Sequence, residues 1–365
     1  MKNEERKICT NVKQKCKTLY FLLYTLYFFC YLCILMERIL ITGATGFIGS
    51  FIVEEALRQG MEVWATVRSA SRLDYLQDPR INKVLLDLSS VSQMSEALAP
   101  LHLDYVVHAA GATKALHRDT FYQVNTEGTK NLVQALLATN PTLKRFVFIS
   151  SLSVMGAVRE QQPYEAITEN DVPQPNTSYG MSKLAAEQWL RKHCTLPFTI
   201  LRPTGVYGPR EKDYMTMVSS IHRGIDIAAG FTPQHLTFVY VTDVVQAVFL
   251  SMKSAKSIGR AYFLTDGEVY TSRTFSDYII QALGKKHVLR FTLPLSLLRI
   301  VCAVSDMVMH LTGKLSTLNN DHYNILAQRN WLCDITPAMT ELGYQPQVKL
   351  REGVGRMVHS LVHSS

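Results

Sequence analysis

Tyr179-Gly-Met-Ser-Lys183 sets a phenol and an ammonium four residues apart. On a helix that spacing puts both on one face. An ammonium beside a phenol stabilises the phenolate and lowers its pKa. Tyr179 could then exchange a proton with an alcohol or carbonyl while hydride moves to or from a nicotinamide. Lys183 has a second use, holding the nicotinamide ribose. Ser151 ends the apolar run "FVFISS" (146–151) and can hydrogen-bond the same substrate oxygen. Many helices carry such a Tyr/Lys pair by chance, so its weight comes from what precedes it.

What precedes it is Thr42-Gly43-Ala44-Thr45-Gly46-Phe47-Ile48-Gly49, a glycine turn between an apolar run and a helical pattern. Gly43 suits the tight turn, Gly46 lets backbone approach a pyrophosphate, and Gly49 lets the helix sit against the sheet. Amides of the turn and helix start, from Thr45 through Phe47 and Ile48, would face the phosphates. An acid at the end of the second strand would bind adenosine ribose hydroxyls. Here stand Val67 and Arg68, and Arg68 with Ser69 or Arg72 could pair with a 2′-phosphate. That favours NADP over NAD. Asp87 and Leu88, after the third strand, are placed to meet the adenine edge.

The elements needed to hold these residues are legible. Strands are expected at "RILITG", "EVWATV", "NKVLLDL", "LDYVVHAAG", "RFVFISS" and "FTILRP", with helices at "FIGSFIVEEALRQG", "NTEGTKNLVQALLAT" and "SYGMSKLAAEQWLRKHC" between them. Repeated βα units with apolar strands predict an α/β fold, a Rossmann-type doubly wound parallel sheet covered on both faces. The expected NAD(P)-binding domain spans 36–205 and 237–266. A smaller, mainly helical substrate-binding lobe spans 206–236 and 267–365.

Charge and cysteine content narrow the classes. Of the formal +8, residues 1–35 carry +4, from six Lys/Arg against Glu4 and Glu5. The remaining +4 is too dilute for nucleic acid and supports only a mild preference for anions. Cys9, Cys16, Cys30 and Cys33 lie early, and Cys194, Cys302 and Cys333 are scattered. This is neither a disulfide framework nor a metal-ligand set, and it suits a reducing compartment. Leu19–Met36 is apolar enough for a membrane anchor. A cleaved signal lacks its small-residue site. A start at Met36, which opens straight into the first strand, fits best and implies a cytoplasmic protein.

With "HAAG" (108–111), Asn125 in "VNTEGT", "SSLSVMG" (150–156), Tyr179-x-x-x-Lys183 and "RPTGVYGP" (202–209) in this order, residues 38–350 resemble the extended short-chain dehydrogenases/reductases, including the NAD-dependent epimerase/dehydratase family. The resemblance implies that Ala109, Ala110 and Gly111 line the cofactor. It also implies that Asn125 supports a proton relay, that Pro203 borders the nicotinamide, and that a homodimer is common. Sugar dehydratases of the family carry Asp-Glu where this chain has Leu152 and Ser153, which speaks against elimination chemistry. Nucleotide-sugar members place an arginine where Leu236 stands, with His235 a weak substitute. The apolar text at 289–313 resembles the 3β-hydroxysteroid dehydrogenase and dihydroflavonol reductase branch and suggests a pocket wall or a membrane-surface contact. The expectation is therefore a hydride-transferring oxidoreductase for a secondary alcohol or ketone of a fairly apolar molecule. A nucleotide-sugar epimerase and a non-catalytic dinucleotide-binding protein are the alternatives. Arg210, Tyr214 and Tyr240 are candidate substrate contacts.

Overall fold

The structure, a computed structural model, describes residues 36–313, 316 and 318–363. Residues 1–35, and with them the expectations for the apolar N-terminal run, lie outside the described residues. Seven strands form one all-parallel sheet: β1 (Arg38–Thr42), β2 (Glu62–Val67), β3 (Ile81–Leu85), β4 (Tyr105–His108), β5 (Arg145–Ile149), β6 (Phe198–Pro203) and the late strand β10 (Ala261–Leu264). Their order is β10-β6-β5-β4-β1-β2-β3. The order reverses between β1 and β4, the crevice where doubly wound sheets bind ligands.

The central strands β1, β4, β5 and β6 are buried on both faces and mostly apolar, while the edge strand β3 alternates buried with exposed positions. Ile39 and Ile41 belong to one apolar cluster and Leu40 to another, the period of two sending neighbours to opposite faces. The first cluster takes residues from α1 (Phe47–Arg58) and α6 (Val241–Lys253). The second takes residues from α2 (Val91–Leu98), α3 (Gly128–Thr139) and α4 (Ser178–His193).

The substrate side has its own aromatic core of Tyr207, Phe238, Tyr240 and Phe275. It draws on α5 (Lys212–His222), α7 (Thr274–Ala282) and α10 (Leu350–His363), together with the short pair β7 (Gly205–Tyr207) and β9 (Phe238–Tyr240). A separate parallel ribbon joins β8 (Ile225–Ala229) to β11 (Leu289–Leu293), and Pro294 leads into α8 (Leu295–Thr312) and then α9 (Asn320–Ala327). The chain returns to the sheet after 330. Trp331, Ile335 and Tyr344 share the cluster of β1, and Cys333 bridges to Ile167. The main sheet's core therefore extends past the boundary expected at 267.

Candidate active site

The glycine turn is built as its spacing predicts. Gly43 has φ +68°, and a Cβ there would lie 2.7 Å from the Ala109 carbonyl carbon and the Ala110 nitrogen. A Cβ at Gly49 would lie 2.1 Å from the Gly43 carbonyl oxygen. Turn, helix and the β4 end thus meet backbone to backbone. Gly46 caps α1 without a side-chain hydrogen bond, and the first turn of α1 carries no acid. The helix dipole and free amides are left for an anion. Thr45, Phe47 and Ile48 are half-buried there, Phe47 and Ile48 packing toward the aromatic core. A dinucleotide's diphosphate fits this cradle.

β4 ends in a hydrogen-bonded column. His108 is fully buried between Thr42 Oγ1 at 2.7 Å and Thr129 Oγ1 at 3.0 Å. Thr129 donates its own proton to the Asn125 carbonyl at 2.7 Å, so it accepts from His108 Nε2–H. Nδ1 is then the acceptor from Thr42, which in turn accepts from the Ala110 amide at 3.2 Å. Burial, aided by the Lys183 charge, lowers the His108 pKa to about 3 and keeps the ring neutral.

Asn125 sits in a π-helical stretch, Tyr122–Glu127. Its Oδ1 accepts from the Ala112 amide at 2.8 Å, and its Nδ2 donates to the Ala112 carbonyl and to Ser182 Oγ. The side chain ties the loop after β4 to α4. A Cβ on Gly111 would meet Asn125 Oδ1 and Lys183 Nζ, both at 3.1 Å. Gly111, Asn125 and Lys183 are thus brought together.

On α4, Thr177 caps the helix through the Gly180 amide at 3.0 Å. The Ser151 hydroxyl lies close enough to the Tyr179 phenol to act on its pKa, placing the two side by side. The expected lowering of the Tyr179 pKa is not found. Burial raises it to about 12, the Ser151 hydroxyl only partly offsetting that. Lys183 is occupied elsewhere: Nζ donates to the Ile149 carbonyl at 2.8 Å and lies 4.6 Å from the Phe148 ring centroid. Burial brings its pKa down to about 8, with Glu187 pulling upward. Glu187 lies one turn further along the same face, and it accepts from Ser150 Oγ and from Arg202 Nη2, each at 2.5 Å. Pro203 ends β6 beside this group, buried. Asp321 and Asn324 on α9 close the other end of α4. They accept from the Ser178 amide at 2.9 Å and donate to the Asn176 carbonyl at 2.7 Å. Glu187 was within reach of sequence reasoning as the next member of the Tyr179–Lys183 stripe. Asp321 was not, because nothing in a sequence links residues 143 positions apart.

The residues expected around the adenosine lie at the far end. Arg68 is exposed after β2, its backbone closing a turn with Ser71. Arg72 pairs with Asp74 at 3.0 Å. Asp87 is exposed, its carboxyl pKa lowered by the backbone hydrogen bond from Ser89, and Leu88 packs against α3 at Gly128.

A cavity of about 440 Å³ opens above Ser151. Met217, Leu236, Phe238, Phe275, Leu326 and Trp331 are among its walls, and Tyr214, Thr204 and Gln234 are among its polar lining. Among the described residues lining it there is no Lys, Arg, His, Asp or Glu. Of the three candidate contacts only Tyr214 lines it. The Arg210 guanidinium lies between the Phe51 and Tyr75 rings, 4.3 Å from each centroid, and bonds Ser50 and Glu54 on α1. Tyr240 is buried in the aromatic core, 5.4 Å from the Tyr207 ring. Neither meets the cavity: the β7–α5 loop carries Arg210 over α1, and the Tyr240 ring packs against Tyr207 and under Arg356 of α10.

The sequence model of the NAD dependent epimerase/dehydratase family matches residues 39–264. A UDP-glucose 4-epimerase of Vibrio cholerae is 26% identical over 90% of this chain and 97% of that enzyme. A 3beta-hydroxysteroid-dehydrogenase/decarboxylase isoform 1 of Arabidopsis thaliana is 25% identical over 88% of this chain and 79% of its own. The crystal structure of a UDP-glucose 4-epimerase with UDP-glucose from Thermotoga maritima superposes with a TM-score of 0.73 at 22% identity, covering 90% of this chain and 99% of that one. With the glycine cradle, the parallel sheet and the Ser151–Tyr179–Lys183 group in place, the chain belongs to the NAD dependent epimerase/dehydratase family, an enzyme family of extended short-chain type.

Proposed function

We propose that this protein is an NAD(P)-dependent oxidoreductase acting on a secondary alcohol or ketone of a fairly apolar small molecule. The observation that carries the reading is the cavity above Ser151, whose lining among the described residues holds no Lys, Arg, His, Asp or Glu. A nucleotide diphosphate buried there would meet no cation, and a buried unpaired charge is costly. Nearby cations are otherwise engaged. Arg329 donates to the carbonyls of Leu326, Ala327 and Thr232. Arg273 is bound to Asp226 at 2.8 Å and to the Phe291 carbonyl. His235 packs against Tyr164, while Leu236 lines the cavity.

The nicotinamide, when bound, supplies or accepts the hydride. The chain's own residues do the rest. Ser151 and Tyr179 bond the substrate oxygen, and the Tyr179 hydroxyl, held protonated by burial, delivers the proton during reduction. Lys183 keeps a positive charge beneath that site, and Glu187 supports that charge. The exposed Arg68, with no acid at the end of β2, supports NADP as the preferred form. A cytoplasmic setting, where both dinucleotides are abundant, agrees with that chemistry.

The test uses the purified full chain and two substrate panels: apolar ketones such as steroid ketones with NADPH or NADH, and nucleotide sugars with NADP or NAD. Oxidation of cofactor in proportion to an apolar ketone is expected. Conversion of a nucleotide sugar to its epimer without net cofactor change would overturn the proposal in favour of an epimerase. Cofactor binding with neither reaction in wild type would favour a non-catalytic role.

A further inference from the structure

Helix α8 shows three different faces. Leu298, Cys302 and Met309 form a narrow buried stripe. Arg299, Asp306 and His310 form a polar edge. Between them Leu297, Ile300, Val304, Met307, Val308 and Leu311 stand in solvent, with Ile300 61% and Leu311 79% exposed. At the helical repeat these six fall within an arc of roughly 100°. The segment is long and apolar enough to cross a membrane, yet only 17% of it is buried.

The ribbon leading into α8 repeats the pattern. Ile225 pairs with Leu289 and Ile227 with Phe291, so the period of two sets these four on one face. All four are exposed. The opposite face holds ions, with Asp226 buried against Arg273 and Arg290. An amphipathic ribbon and an amphipathic helix, consecutive through Pro294, thus each leave their apolar side unpartnered. This exceeds the scattered apolar exposure of an ordinary surface.

Charge selects the occupant. Residues 284–313 hold Lys285, Lys286 and Arg299 against Asp306, besides Arg290, which is paired with Asp226 and Asp277. A two-fold dimer through this face would set one basic rim against an identical one. An anionic bilayer surface complements it. Spanning is disfavoured, because the charged edge and the stripe packed on the protein would both enter the hydrocarbon.

We propose that the exposed faces of α8 and the β8–β11 ribbon form a docking surface for a bilayer bearing anionic lipids, with α8 lying in the interfacial plane. Ile227 both stands in this face and lines the cavity. Docking would therefore bring the cavity mouth to the lipid. That consequence, unlike the docking, rests on the apolar substrate proposed above.

The test is vesicle flotation with the full chain, using phosphatidylcholine vesicles with and without phosphatidylglycerol, beside the variant Ile300→Glu/Val304→Glu/Leu311→Glu. Wild type is expected to float with the anionic vesicles, less so at high salt, and the variant's partitioning to fall at least about tenfold. The three side chains are exposed, so an unchanged thermal melt checks that the variant folds. Turnover of a water-soluble substrate should be unaffected, which separates loss of docking from failure of the catalytic reading. Equal flotation of the variant would assign binding to another segment, such as residues 19–36, and overturn the proposal. So would a wild-type dimer by light scattering that the variant abolishes while neither protein floats.

Discussion

Ser151, Tyr179 and Lys183 stand on the end of β5 and the first turns of α4, each held by buried neighbours within a few ångströms. The walls of the cavity above them are different. Met217, Leu236, Phe275 and Trp331 come from four separated stretches and meet there through apolar contact. The Ser151–Tyr179–Lys183 group, the floor, is polar and assembled on sheet and helix ends, and Ser151 is its member that lines the cavity. The walls are apolar and assembled from the later half of the chain. In the proposed reading the floor sets the kind of reaction and the walls choose the molecule that undergoes it.

Removing the proton donor should break the floor and spare everything else. Tyr179→Phe is expected to lower kcat by about 10²–10⁴-fold, with cofactor affinity by fluorescence titration unchanged. If turnover survives, Tyr179 is not the acid. Gly49→Ala attacks the support instead. Its Cβ would meet the Gly43 carbonyl oxygen at 2.1 Å, and both atoms belong to backbone that packed elements fix. Overpacking of this kind costs about 1–3 kcal/mol. A lower melting temperature and at least about tenfold weaker cofactor binding should follow by calorimetry. A neutral result would mean that α1 can slide on the sheet.

These two regions differ in the same way in how far sequence revealed them. The glycine turn and Tyr179-x-x-x-Lys183 are local, since helix periodicity and backbone sterics act over a few residues. The sheet was readable because its central strands, buried on both faces, are short runs rich in apolar residues. The pKa of Tyr179 was misjudged because adjacency on a helix does not state where an ammonium points: Lys183 turns to the Ile149 carbonyl. Arg210 and Tyr240 were misplaced for a related reason. Loop direction after β7 is set by Phe51 and Tyr75, which sequence does not bring near residue 210.

Leu236→Arg tests whether the walls choose the substrate class. A guanidinium in the apolar cavity should raise KM for an apolar ketone by about tenfold or more, and should let the protein bind UDP in calorimetry. Retained ketone affinity would show that Leu236 does not touch the substrate. The floor has its own signature in pH. Lys183 has a folded pKa of about 8 against an ordinary 10.5. The unfolded chain therefore binds more protons between those values, and stability rises with pH across the window. Below about 8 the fold bears the full cost of the buried ammonium. Activity should run the opposite way, kcat/KM falling above about pH 8 as the charge is lost. A Lys183→Met variant should lack the stability rise in thermal melts over this range.

The smallest effect is expected where the two regions touch. Asp321 belongs to α9, beside wall residues Ile325 and Leu326, yet its carboxylate accepts from the Ser178 amide at the start of α4. That amide is one of the orphan donors of a helix N-terminus, and Tyr179 follows it directly. Asp321→Ala leaves it without this acceptor, at about 1 kcal/mol. If the lost bond loosens Tyr179, kcat should fall by roughly fivefold with KM little changed, and Asp321→Asn, which keeps an acceptor oxygen, should recover most of it. A fall in KM-linked binding with kcat intact would place Asp321 with the walls. Steady-state kinetics of the pair thus decides whether α9 acts only through the cavity wall or also through the position of Tyr179, the proposed proton donor.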